Sequence, residues 1–257
     1  MTLLLDHDER TDAPLGATLL FDHAPKPLDL PAVAQQVRGL GDVAPRRDLL
    51  VLESFSREHD APAPVAYIAE RPGPAPKPLL EDLAASQLWR LGDVRDDVLE
   101  ASRYQVPVGE FLGRLLPPDP RLRALGEVVL ALVRSQPGVI AVHITATDEI
   151  FLTRQLLELA TTDDHWWHEL AFNVRRFDDG VDTYGLYAFA LPDIEVPRGG
   201  EKTLDAQLRF VNDTGRRILG EGDLDDGTLF EGIAGPLTGT HDWSAVDPHR
   251  TVLRLTA

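Results

Sequence analysis

The sequence contains no cysteine. It therefore has no disulfide, no thiolate nucleophile and no thiolate ligand for a metal. Because disulfides mark oxidising compartments, their absence favours the reducing cytoplasm. Apolar runs are short, far below the roughly 20 residues of a membrane-spanning helix, and the first residues lack the basic charges of a signal peptide. We expect a cytoplasmic protein that has no membrane as a partner.

Positive charge is also scarce. Lys and Arg number 25 against 42 Asp and Glu, which gives a net charge of -17. Nucleic acids and anionic membrane surfaces are bound through cationic side chains, so the charge disfavours both as partners. An acidic surface keeps a protein soluble and attracts basic proteins. The partner class that this charge permits is a basic protein.

Motifs of common enzyme classes are missing. The chain has no Gly-x-Ser-x-Gly, no phosphate-binding loop and no Gly-x-Gly-x-x-Gly, so hydrolase, nucleotidase and Rossmann functions gain no support from motifs. We predict no cofactor. The first hypothesis is an acidic, non-catalytic binding or interaction protein. The alternative is a small-molecule hydrolase, because acid–base groups can act without a recognisable spacing.

The order of predicted elements indicates an α+β fold. Residues 15–112 follow the β-α-β-β-α-β order of a ferredoxin-like (split βαβ) sandwich. Residues 113–257 echo that order without a sequence repeat. We therefore predict two ferredoxin-like halves, mostly antiparallel sheet with helices on one face, either as two domains or as one continuous domain. The clearest helix covers residues 122–136, where apolar residues recur at helical spacing until Pro137 and Gly138 end it.

A long antiparallel hairpin is predicted over residues 172–196. Asp179 and Gly180 suit a type I′ turn between two runs rich in Val, Phe, Tyr and Thr. With that turn, Arg175 lies opposite Tyr184, and Asp182 shares their face. These three residues are candidates for an anion-binding or stacking patch. Cross-strand Arg–Tyr pairs also stabilise sheets, which is the structural alternative.

His143 and Asp148 lie along and just beyond the predicted strand 139–147. A histidine beside a carboxylate can act as a general base with its orienting group. The pair is therefore the first candidate for hydrolase chemistry. The structural alternative is a half-buried histidine bonded to backbone, since no nucleophile is visible beside it.

His165 and His168 stand three residues apart in the stretch HWWH, on one face of a helix. Two imidazoles can bind zinc, but a zinc site needs about three protein ligands. The sequence offers no third ligand at usable spacing and no His-Glu-x-x-His. We therefore predict no bound metal, and a capped helix end with aromatic packing as the structural alternative.

Two segments of the hairpin match a family signature that reads Asn-Val-Arg, a short loop, and Val-Asp-Thr-x-Gly-Leu-Tyr-Ala-x-x-Leu-Pro-Asp. The matching residues are Asn173-Val174-Arg175 and the residues of that pattern from Val181 to Asp193. In these the chain resembles the bacterial domain-of-unknown-function family 4261. The resemblance extends loosely from Trp89 to the C-terminus and breaks at residues 194–200. It implies a bacterial α+β protein of a family without an assigned activity.

Overall fold

A computed structural model describes residues 15–86, 89–197, 204–232, 235–247 and 249–257. The break in the family pattern covers residues 194–200, and its part after residue 197 lies outside the described residues. Two compact units divide the chain, an N-terminal unit that ends at Leu170 and a C-terminal unit that begins at Ala171. Each unit contains its own sheet.

The N-terminal unit consists of an antiparallel sheet and six α-helices within the described ranges. Its strands are β1 (Gly16–Phe21), β2 (Ala44–Arg46), β3 (Leu49–Leu52), β4 (Val65–Ala69), β5 (Gly73–Pro74), β6 (Tyr104–Phe111), β7 (Val139–Ile144) and β8 (Glu149–Leu152). Its helices are α1 (Leu30–Gln36), α2 (Glu53–Glu58), α3 (Lys77–Ala85), α4 (Arg95–Ala101), α5 (Pro118–Ser135) and α6 (Thr153–Thr162). The strand order is β2-β3-β4-β6-β1-β7-β8, with β5 beside β6.

Strand β1 is the centre of this sheet. Leu19 pairs with Val106 of β6 on one side and with Val142 of β7 on the other. All six residues of β1 are buried, so both faces of the sheet are covered there. The expected boundary between residues 112 and 113 therefore falls between strands of one sheet, because β7 and β8 complete the sheet that β1 and β6 begin.

Apolar side chains from the helices cover this sheet. One cluster on the sheet joins Leu20, Ala141 and Ile150 to residues of the intervening helical segments, namely Leu83, Leu91 and Leu99. Helix α5 starts four residues before the predicted range and buries the predicted apolar stripe. Gly138, with φ of 97°, follows its end.

The C-terminal unit contains a long helix, α7 (Leu204–Glu221), and a six-stranded sheet. The strands are β9 (Asn173–Phe177), β10 (Gly180–Tyr184), β11 (Asp193–Pro197), β12 (Leu229–Gly232), β13 (Gly235–Trp243) and β14 (Thr251–Thr256). Their order is β12-β13-β14-β11-β10-β9, and β11 runs parallel to β14 while the other described pairs are antiparallel. The predicted α+β class with mostly antiparallel sheet is thus confirmed.

The predicted hairpin exists as β9 and β10, but its turn and register differ from the prediction. Gly180 pairs with Phe177, so the turn residues are Asp178 and Asp179, and Arg175 lies opposite Asp182 instead of Tyr184. A Cβ at Gly180 would lie 2.3 Å from the carbonyl oxygen of Val196 on β11. Glycine is needed here for the close approach of a third strand, which explains why the turn-based prediction was wrong.

The second strand of the hairpin also ends earlier than predicted. Gly185, with φ of 132°, turns the chain after Tyr184 into a 3₁₀ turn at Leu186–Phe189. The remaining apolar residues that the prediction placed along the strand are buried beyond it. None of the helices in the described ranges combines the length and hydropathy that crossing a bilayer requires.

Candidate functional site

The two histidines of HWWH come together at a 3₁₀ turn, Trp166–Leu170. The backbone N–H of His168 donates to the carbonyl of His165 at 3.0 Å. Side chains three residues apart eclipse one another in a 3₁₀ helix. The imidazoles of His165 and His168 accordingly stack, with ring centroids 5.5 Å apart and planes inclined by 23°. The spacing of three thus places both rings on one side, as the sequence predicts.

A carboxylate from a distant helix joins them. Asp119 lies in the first turn of α5, and its Oδ1 accepts hydrogen bonds from Nε2 of His168 at 2.7 Å and from the indole Nε1 of Trp167 at 2.8 Å. The bond from His168 is the main reason why the pKa of Asp119 lies below its ordinary value. Ligand atoms of Asp119, His165 and His168 all lie within 4.8 Å of one another. We call these three residues the Asp119 cluster.

Close packing between the 3₁₀ turn and α5 holds this cluster together. A Cβ added at Gly126 would lie 3.0 Å from the ring of Trp166 and 3.1 Å from the Cβ of Trp167. The guanidinium of Arg123 lies 5.5 Å from the ring centroid of Trp167, within cation–π range. Both tryptophans are buried. The aromatic packing that the sequence suggested is therefore present, and it brings the histidines to Asp119.

His143, on β7, and Asp148, in the turn between β7 and β8, also come together. Nε2 of His143 lies 3.5 Å from Oδ1 of Asp148. The ring is buried, beside Thr18 of β1 and Ile150 of β8 in the strand pairing. Neither ring nitrogen makes a hydrogen bond to any described residue, so the expected bond to backbone is not formed. The two side chains are therefore close together, but the imidazole is buried and solvent reaches little of it.

A second carboxyl, that of Glu149, lies next to this pair in the sequence and is buried. Glu149 is 2% exposed, and burial raises its pKa to about 7. Its nearest cation is Arg90, whose Nε lies 4.0 Å from Glu149 Oε2 and which also bonds to Glu169. Oε1 of Glu149 has no hydrogen-bond partner among the described residues. Its place at the start of the apolar strand EIFL accounts for this burial.

The hairpin candidates in the C-terminal unit contact one another. Arg175 donates to Asp182 at 3.0 Å, and its guanidinium lies 4.0 Å from the ring centroid of Tyr184. Asp182 also accepts from Arg250, whose side chain is fully buried. Because both guanidiniums already have an internal carboxylate, the contacts support the sheet-stabilising alternative over an anion-binding patch.

Two further features of the structure were not expected from the sequence. The ring of His241 on β13 lies between two carboxylates, with Nδ1 2.8 Å from Asp226 and Nε2 3.0 Å from Asp223, and donates to both when it is protonated. These bonds, the one to Asp223 first, raise the pKa of His241. In the N-terminal unit a cavity of about 480 Å³ has Arg47 and Arg71 in its wall. None of the predicted site residues lines that cavity.

No family model, curated protein or solved structure matches the chain. The resemblance at the hairpin therefore stays a prediction. Of the geometries described, the Asp119 cluster comes nearest to a set of groups that could hold a ligand, since it combines three donor atoms of metal-binding type on one surface.

Proposed function

We propose that the protein works without catalysis, by binding a basic macromolecular partner, and that its acidic surface accelerates the encounter. The observation that carries this proposal is the net charge of -17. Complementary charge raises association rates by factors of about 10 to 1,000 at low salt. Dissolved salt weakens the effect, because the Debye length is about 8 Å at physiological ionic strength.

The pattern of buried charge supports this proposal. Arg121 is paired with Glu110, and Arg250 with Asp182, and all four side chains are almost fully enclosed. Among the described residues, the buried charged side chains are four acids, Glu149, Asp182, Asp193 and Glu195, and two arginines, Arg121 and Arg250. Burial therefore removes only a small part of the acidic excess, and the rest can act on partners.

The salt dependence of association tests this function. The protein is immobilised, its tightest partner from the native host is identified, and their association rate is measured at 20 mM and 300 mM NaCl. We expect a basic partner whose association slows about tenfold or more between these concentrations. Sucrose at matched osmolality is the control and is expected to change the rate much less than salt does. An acidic partner, or a rate that salt does not alter, contradicts the proposal.

The second candidate function is a small-molecule hydrolase that uses His143 and Asp148 or a metal near His165 and His168. The observation in favour of the metal route is that Asp119 lies beside the two histidines and could serve as the third ligand, which the sequence does not offer near them. Turnover of a panel of esters and amides decides between the routes. Loss in His143→Ala alone identifies the pair, whereas loss in the His165→Ala/His168→Ala double variant alone identifies the metal route.

The family, the ferredoxin-like halves and the cytoplasmic location are also part of this proposal. Membership of family 4261 rests on the hairpin signature, and the two ferredoxin-like halves with helices on one face rest on the order of elements. The cytoplasmic location rests on the absence of cysteine from the sequence. Fractionation of the native host tests the location, and recovery of the protein in the periplasm or medium contradicts it.

A further inference from the structure

We propose that Asp119, His165 and His168 form a binding site for one divalent transition-metal ion, with Zn²⁺ as the representative ion. This goes beyond the proposed partner-binding function and does not depend on it. The expectation of no metal rested on a missing third ligand, and Asp119 removes that reason, because it reaches the histidines from 49 residues before His168.

The donor set determines which ions fit. Two imidazoles and one carboxylate suit zinc, copper or nickel, whereas calcium and magnesium prefer six or more oxygen ligands. Three protein ligands are also what open zinc sites provide, which leaves a coordination position for water. The partial exposure of the Asp119 cluster allows an ion and its water to enter from solvent.

The distances allow one ion to bind all three side chains. Zinc lies about 2.0–2.2 Å from nitrogen and oxygen ligands, so two ligand atoms on one ion are at most about 4.4 Å apart. The three ligand atoms lie within 4.8 Å, and His165 is exposed and able to turn toward the other two. An ion would replace the direct bond between His168 and Asp119.

Supporting contacts keep the ligands in place. The indole N–H of Trp167 donates to Asp119 Oδ1 at 2.8 Å, and carboxylate ligands of metals are commonly held by such bonds. The backbone N–H of His165 donates to Asp163 Oδ1 at 2.8 Å, which fixes the start of the 3₁₀ turn. The close approach at Gly126 holds the turn against α5.

Zinc binding to the tag-free, full-length protein tests this site. Isothermal titration with ZnCl₂ is expected to show one ion per chain, and Co²⁺ is expected to give the visible absorption of a four- or five-coordinate ion. Asp119→Asn retains an oxygen for Trp167 while removing the carboxylate. We expect Asp119→Asn and His168→Gln to weaken zinc binding at least about tenfold. His249→Gln, an exposed histidine of the C-terminal unit, is the matched control and binds zinc like the wild type.

Melting temperatures keep the test independent of folding defects. Zinc is expected to raise the melting temperature of the wild type and of His249→Gln, because a ligand of the folded state stabilises it. Mg²⁺ at the same concentration is expected to leave it unchanged. Variants of the Asp119 cluster are accepted only if they melt cooperatively without metal. Absence of stoichiometric zinc, or affinity that survives Asp119→Asn, overturns the proposal.

Discussion

Arg250 shows how single residues hold the C-terminal unit together. Its fully buried guanidinium bonds to the carboxylate of Asp182, to the carbonyl of Thr183 at 2.7 Å and to Oγ of Ser244 at 3.0 Å. A second buried carboxylate, Asp193, lies 3.6 Å away. Since an unpaired charge inside a protein is costly, this cation and its two aspartates depend on one another.

Replacing Arg250 by methionine is therefore expected to destabilise the protein strongly. Arg250→Met keeps much of the side-chain volume but removes the cation next to Asp193 and leaves Asp182 with Arg175 alone. Breaking a buried pair in this way costs about 3–5 kcal/mol. Urea unfolding followed by tryptophan fluorescence measures it. Arg217→Met, at an exposed pair with Glu221 on α7, is the control and is expected to change stability by less than about 1 kcal/mol. Equal effects of the two variants would show that the buried pair is not needed.

Which contacts the sequence can predict depends on how far apart the partners lie along the chain. Arg175, Asp182 and Tyr184 were selected together because they share one hairpin, and they do touch. Arg250 joins Asp182 from 68 residues away, and no local pattern marks an arginine for burial. Asp119 was missed for the same reason, because only tertiary packing brings it to the histidines.

At the scale of elements, hydrophobic periodicity predicts well and register poorly. Helix α5 was predicted because its apolar stripe repeats locally at helical spacing. The strands β9 and β10 were likewise found from their composition. The turn was predicted at the wrong residues because Gly180 is required by its close contact with the carbonyl of Val196 on β11 and not by the turn. The residues around the turn do not reveal that contact.

Two glycines of α7 are expected to respond oppositely to alanine. A Cβ at Gly215 would lie 2.6 Å from the ring of Phe172, which is buried, so Gly215→Ala is expected to destabilise by about 1–3 kcal/mol. Gly220 has no heavy atom within 4 Å of such a Cβ. Gly220→Ala is expected to stabilise by about 0.5–1 kcal/mol through helix propensity. Thermal unfolding measures both, and a stabilising Gly215→Ala would contradict the close packing of Gly215 against Phe172.

At the scale of the whole molecule, several groups have pKa values that folding raises, so that each of them makes the folded state less stable at higher pH. Burial raises the pKa of Glu149 from 4.5 to about 7 and that of Asp193 from 3.8 to about 6. The folded state thus binds these protons more tightly than the unfolded state. For each group, stability falls as pH rises from the ordinary pKa to the raised pKa of the folded state. The pKa of His241 is raised above 6.5, so its contribution is present below 6.5 and lost as pH rises through the folded value.

The melting temperature is therefore expected to rise from pH 8 to a maximum near about pH 5. Protonation also reduces the self-repulsion of a chain with net charge -17, which acts in the same direction. Below the maximum, stability falls again, because the pKa values of Asp119 and Asp226 lie below 3.8 and their favourable bonds are lost on protonation. Differential scanning fluorimetry from pH 3.5 to 8.5 at constant ionic strength, with light scattering to detect aggregation, measures this profile.

Glu149→Gln identifies how much of the profile comes from one carboxyl. A raised pKa of this size means that ionised Glu149 lowers the free energy of unfolding by about 3 kcal/mol above pH 7. Glu149→Gln is therefore expected to melt at a higher temperature than the wild type at pH 8 and at about the same temperature at pH 4.5. Glu158→Gln, an exposed acid of α6, is the control and is expected to follow the wild-type profile. If Glu149→Gln lowers the melting temperature at pH 8, attraction to Arg90 outweighs burial, and Glu149 is charged in the folded protein at neutral pH.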